Sequence, residues 1–174
     1  MGKATLSGPL MVGTNKDGAV GTNNLGTSLL AQKMFFVTPA LAVSTTDADG
    51  QTTTTYLGQP AVAWNATAGA NATTISVQLP ANVAIHDIVI DQSLVTTGTN
   101  ATLAFTAGIS AAGVEYVAST DIKTTVRLIP TYTAAHLIAM RNIGTNTSFF
   151  AQINTPTNPV TAGVTSVTVL YMQR

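Results

Sequence analysis

The chain has 174 residues with 7 basic and 7 acidic side chains, so only 8% of it is charged and its formal net charge is zero. Soluble domains carry about 25% charged residues, and this length favours one domain. Scattered charges argue against nucleic-acid binding, which needs clustered Lys and Arg. The chain contains no cysteine and no apolar run near the ~20 residues of a membrane span, so we expect neither disulfides nor membrane insertion.

Residues 1–30 are predicted to form an extended N-terminal arm, and residues 31–174 a β-sandwich domain. The arm contains SGPLMVGTNKDGAVGTNNLGTS, which is rich in Gly, Asn and Thr. Fixing the backbone costs about 1–2 kcal/mol per residue, whereas burying one apolar side chain returns about 1.5–3 kcal/mol. The arm is therefore expected to need a partner to become ordered. Its candidate interface residues are Leu6, Leu10, Met11 and Val12.

The rest of the chain shows strand patterns separated by turn residues. ATTISVQL alternates Ile75, Val77 and Leu79 with polar residues, which is typical of a half-buried strand. VAIHDIVIDQSLV has apolar residues on both parities, which predicts a strand covered on both sides near its middle. Two later strands are predicted to separate at Ser119-Thr120. Short strands between Gly, Asn, Thr and Pro turns predict an all-β, antiparallel sandwich.

One short helix is predicted near residues 133–141, where the sequence reads YTAAHLIAMRNIG. Thr131 or Thr133 is the expected N-cap, and Gly144 follows the expected end. The residues at helical spacing are Ala134, Leu137, Ile138 and Arg141.

Two groups of residues could suggest a metal site. Asp47–Gly50 reads DADG and resembles the start of a calcium loop, but no carboxylate stands where that loop needs a bidentate glutamate. A plain turn is favoured. Asp87 and Asp91 share one side of a strand and His86 points to the other, so only His136 could complete a histidine-based site. We expect no metal and no cofactor.

The sequence offers few candidate residues for catalysis or for sugar binding. Nucleophilic catalysis needs a base near Ser or Thr, and the chain has two histidines and one glutamate, Glu115. We therefore expect no catalytic residues. Five aromatic residues could stack on a sugar, although dispersed aromatics are more often buried. They are Tyr56, Trp64, Tyr116, Tyr132 and Tyr171.

Several phrases resemble small virion proteins of tailed bacteriophages, namely head decoration (cement) proteins and related capsid-surface proteins. The phrases are SGPLMVGTNKDGAVGTNNLG, LPANVAIHDIVIDQS, AGVEYVASTDIKTTVR, PTYTAAHLIAMRNIG and VTSVTVLYMQR. The resemblance implies a jelly-roll-like sandwich and a homotrimer on the outer capsid surface of the virion, where it would clamp neighbouring major capsid subunits. It implies no catalytic residues.

Two alternatives stay open at this point. One is a head-fibre or tail component of the virion, and the other is a carbohydrate-binding module. An extended aromatic face on one sheet would favour the module, whereas an arm that reaches a neighbouring copy would favour a structural protein.

Overall fold

The computed structural model describes residues 29–64, 72–97, 102–123, 126–154, 160 and 162–173. Of the predicted arm, only Leu29 and Leu30 fall in this part, and they begin the first strand. The strands are β1 (Leu29–Val37), β2 (Val43–Thr46), β3 (Thr52–Tyr56), β4 (Gln59–Ala63), β5 (Ala72–Gln78), β6 (Ala84–Thr97), β7 (Ala104–Gly108), β8 (Val117–Asp121), β9 (Arg127–Leu128), β10 (Ser148–Asn154) and β11 (Ala162–Met172). One α-helix, α1 (Ala134–Arg141), precedes β10.

The described strands form two sheets, and the predicted all-β sandwich is confirmed, with one short α-helix among the described residues. The seven-stranded sheet has the order β2-β3-β4-β1-β11-β6-β9, and the four-stranded sheet the order β5-β10-β7-β8. The described strand pairs are antiparallel except β1 with β4. Among the described residues, no helix is long and apolar enough to cross a membrane.

The main core lies between the sheets. Phe36 of β1 and Phe149 of β10 are both almost fully buried in it. Trp64 follows β4 and stacks on Phe36 with ring centroids 5.5 Å apart, and its indole N–H donates to the Gly163 carbonyl at 3.0 Å. β5 alternates as predicted, with Ile75 and Val77 buried.

The turn at Asp47–Gly50 is built by one carboxylate. Asp47 Oδ1 accepts hydrogen bonds from the backbone N–H of Asp49 at 3.0 Å and of Gln51 at 2.8 Å. Gly50 has a φ of +79°, a conformation that costs glycine little. This turn joins β2 to β3, which is the plain turn that the sequence favoured over a calcium loop.

Two strand predictions differ from the structure. β6 has mixed parity because it contains a β-bulge: Leu170 pairs with Asp87 but Tyr171 pairs with Ile85, so His86 is the extra residue. The strand changes the side it presents there, which accounts for its apolar residues on both parities.

The predicted break at Ser119-Thr120 is wrong. β8 passes through these residues and ends at Asp121, whose Oδ1 accepts from the Lys123 N–H at 3.1 Å.

Candidate functional site

The outward side of the seven-stranded sheet carries apolar side chains on its central strands, β1, β11 and β6. Leu29 pairs with Met172 and Ala31 with Leu170, and Val89 lies in the next strand along. Partners across strands point to the same side, and this register places all five opposite the side that enters the core. We call these five residues, Leu29, Ala31, Val89, Leu170 and Met172, the apolar face.

The apolar face is separate from the core. Leu29 is 50% exposed, Ala31 is exposed, and the other three residues are half-buried. None of the five belongs to either hydrophobic cluster of the described residues. Exposed apolar patches mark interaction sites, and this group of side chains draws on strands β1, β6 and β11.

The other end of the same outward side is covered by the chain itself. Phe35, Val37 and Val164 are buried there in a second, small cluster. The Tyr56 ring meets Phe35 edge-on, with centroids 5.2 Å apart and planes at 75°. The Lys33 ammonium lies 5.0 Å from the Phe35 centroid, in a cation–π contact. The apolar face and this cluster lie on the same outward side, with Lys33 and Thr168 between them.

The carboxylates beside the apolar face are engaged in internal contacts. Arg127 donates from Nε and Nη2 to the two oxygens of Asp91, at 2.6 and 3.0 Å. This hydrogen-bonded guanidinium holds the pKa of Asp91 below its usual value. Tyr132 donates its hydroxyl to Asp87 at 2.7 Å, and burial raises the pKa of Tyr132 above its ordinary value. A partner on this face would therefore meet mainly apolar side chains.

Helix α1 begins at Thr133, one of the two predicted N-caps. Thr133 Oγ1 accepts from the His136 N–H at 3.3 Å, and His136 Nδ1 accepts from the Thr133 N–H at 3.2 Å, which closes a capping box. His136 and Met140 are buried, while Leu137 and Ile138 are 55% and 74% exposed. The helical spacing correctly indicated a helix, but the side that carries Leu137 and Ile138 faces solvent. The side that carries His136 and Met140 packs against the sandwich instead.

A small cleft separates α1 from the segment at 109–116 and has a volume of about 180 Å³. Pockets for small molecules usually measure about 300–1,000 Å³. Glu115 lines the cleft and accepts from the Ile109 N–H at 3.2 Å. Burial raises the pKa of Tyr116, also in the lining, to about 12. The phenol therefore stays protonated at neutral pH and offers no base.

The structure does not bring the predicted metal and sugar candidates together. His86 is exposed at the bulge of β6, whereas His136 is held in the capping box. Within the described ranges, no three His, Cys, Asp or Glu side chains converge. Of the five aromatic candidates, Trp64 and Tyr116 are each only 2% exposed, so these five do not form one exposed platform.

The predicted interface residues Leu6, Leu10, Met11 and Val12 lie outside the described residues. The apolar face was missed at the sequence level. Its one local signal was the mixed parity of β6, which the sequence analysis attributed to a strand covered on both sides. The remaining residues of the face belong together only through the pairing of β1 with β11, two segments more than 100 residues apart.

No family model matches the chain, and no curated protein matches its sequence. Among solved structures, the chain is similar to a chain described as the capsid of Ralstonia phage GP4, with a TM-score of 0.41 and 13% sequence identity. The similarity covers 62% of this chain and 87% of the phage chain.

Proposed function

We propose that this chain is a structural protein of a tailed-phage virion, namely a capsid decoration protein that binds the outer surface of the head and stabilises contacts between major capsid subunits. The observation that carries the proposal is the apolar face, set on a sandwich in which only 8% of residues are charged. The sequence resemblance to phage decoration proteins supports the same role.

Attachment in this proposal is mechanical. Apolar burial contributes about 25 cal/mol per Å², and extended segments add main-chain hydrogen bonds at a sheet edge. Each contact is modest, but linked contacts made by one oligomer must break together before it leaves the particle. The protein acts without turning over a substrate, in keeping with the internal use of Glu115 and His136.

The test is the location of the chain in particles of the phage that encodes it. We expect mass spectrometry of purified virions to detect the chain, and gold-labelled antibody to mark the head surface. Particles that lack the chain should lose their DNA at a lower temperature, and addition of the purified full-length protein should restore their heat resistance.

Two results would overturn this proposal. Gold label confined to the tail or to head fibres would favour the fibre or tail alternative. A protein absent from purified virions that binds an oligosaccharide on a glycan array would favour the carbohydrate-binding module, which the buried Trp64 and Tyr116 argue against.

A further inference from the structure

We propose that the apolar face receives the N-terminal arm of a second copy of this chain. This inference rests on the proposed structural role and names the contact that joins the copies. The five apolar residues supply a surface, and the edge of β1 beside them supplies main-chain hydrogen-bonding groups.

The edge of β1 is only partly used. All nine residues of β1 pair with β11, but β4 pairs only with Phe35, Phe36 and Val37. The β3–β4 turn explains the limit, because Leu57 and Gly58 have φ values of +52° and +73° and reverse the chain just before β4. In the described part of the chain, residues 29–34 of β1 thus have no strand partner on that side, and an added strand can bond there.

The arm has the chemistry that this surface requires. Residues 4–15 carry no charge and include Leu6, Leu10, Met11 and Val12. Pro9 lacks an N–H group, so it is tolerated in an edge strand. The nearest ion pair, Asp91 with Arg127, is closed on itself and leaves the face suited to an uncharged segment.

The direction of the chain favours a second copy over the same copy. Leu29 is the first residue of β1, so an arm that paired with β1 of its own copy would have to reverse direction before that strand. The 28 preceding residues reach up to roughly 90 Å when extended at about 3.3 Å per residue. Covering its own face would require a reversal at this point, with the entropy cost of closing a loop. Passing an arm to the next copy instead closes into a ring, as in a trimer.

Disulfide trapping tests the contact directly, because the chain has no cysteine of its own. In the full-length protein, Leu10→Cys is combined with Ala31→Cys, which is exposed on the outward side of β1 beside its free edge. The matched control combines Leu10→Cys with Ser76→Cys, which is exposed on the outward side of the four-stranded sheet. After mild oxidation, we expect covalent dimers and higher multimers from the first pair and at most a trace from the control.

A second measurement does not depend on oxidation. Leu170→Glu places a charge on the apolar face, and Ser76→Glu places one on the opposite outward side. We expect native mass spectrometry to show that the wild type and Ser76→Glu are oligomers and that Leu170→Glu is a monomer with an unchanged circular dichroism spectrum. If Leu170→Glu fails to fold, the trapping experiment still decides.

Three outcomes would overturn the inference: an intramolecular disulfide in the first pair, equal trapping in the control, or a folded Leu170→Glu that remains oligomeric. The proposed function is tested separately, by finding the chain in virions. A chain found on heads whose arm closes on its own sheet would remove this inference and leave the decoration role intact.

Discussion

The two sheets present opposite chemistry on their outward sides. On the four-stranded sheet most outward side chains other than Phe150 are polar and some are joined across strands: Gln152 Nε2 donates to Thr74 Oγ1 at 2.9 Å, and Gln78 Nε2 donates to Ser148 Oγ at 2.9 Å. On the seven-stranded sheet the central outward side is the apolar face. Water hydrates exposed polar side chains such as Ser76 and Gln78 on the first surface, whereas the second leaves apolar area in water that a partner can remove.

The comparison shows that a sandwich with little charge can still have two outward surfaces of different polarity. Uncharged Thr, Ser and Gln side chains hydrate the outward side of one sheet and create no long-range electric field. Binding is therefore expected on the outward side that lacks such polar side chains. The small cluster around Phe35 shows how apolar side chains on the second surface behave once covered: Phe35 is only 6% exposed.

The largest effect is expected from breaking the covered end of the seven-stranded sheet. Phe35→Ala removes the contacts with Tyr56, Val37 and Val164 and should lower the free energy of unfolding by about 3 kcal/mol. Phe150→Ala, on the half-buried outward side of the four-stranded sheet, should cost roughly half as much. Urea unfolding measures both. Equal losses would mean that the two outward sides do not differ in packing.

Much of the local structure could be predicted from the sequence. The alternation in β5, the turn at Asp47–Gly50 and the N-cap Thr133 each depend on residues within a few positions of one another. Local patterns therefore carry them. The bulge at His86 left a local sign in the apolar residues on both parities of β6, but only the register of β6 against β11 shows that they result from a bulge.

The candidate site depended on long-range information that the sequence pattern does not hold. Leu29 and Met172 face each other only after β1 and β11 pair over their full length. For the same reason the exposed side of α1 was not evident: the apolar residues Leu137 and Ile138 point to solvent, while His136 is buried. Which side of an eight-residue helix packs is decided by the surface it meets.

Alkaline pH should affect the two sheets through two buried phenols. Tyr116 stacks on Phe149 of the four-stranded sheet at 5.7 Å, and Tyr132 lies against β6 of the other. Burial raises both pKa values above that of the unfolded chain, to about 12 for Tyr116. From pH 10 upward the unfolded state loses these protons first, so the free energy of unfolding falls as pH rises, by roughly 1–2 kcal/mol for one phenol. Below pH 10 this contribution is constant.

The measurement is a series of urea titrations between pH 8 and 12, for the wild type, Tyr116→Phe and Tyr132→Phe. Each phenylalanine variant should show a shallower decline above pH 10 than the wild type. Identical slopes in all three proteins would show that neither phenol is the source of the alkaline loss.

A smaller gain is expected inside the sandwich, where a buried polar group lacks a hydrogen-bond partner. The Thr165 hydroxyl is buried and has no hydrogen-bond partner. Thr165→Val keeps the shape and removes the unpaired hydroxyl, so it should stabilise the protein by about 1 kcal/mol. Thr168→Val, on the outward side of the same strand, should change stability by less than about 0.5 kcal/mol. A destabilised Thr165→Val would indicate that its hydroxyl is hydrogen-bonded in solution.

The smallest effect is expected from charge, because the contact that we propose is apolar. The Arg127 side chain is 69% exposed and Asp91 29%, and such surface pairs contribute little because water and salt screen them. Arg127→Ala should therefore leave both self-association and attachment to phage heads unchanged.

Attachment should also survive about 1 M sodium chloride, where the screening length is only ~3 Å, because salt does not weaken apolar burial. Sedimentation of heads with bound protein at low and high salt measures this, and sodium sulfate should strengthen binding. Release of the protein at high salt would show that a few charges, such as Arg127 and Lys123, hold it on the head and that attachment does not depend mainly on apolar burial.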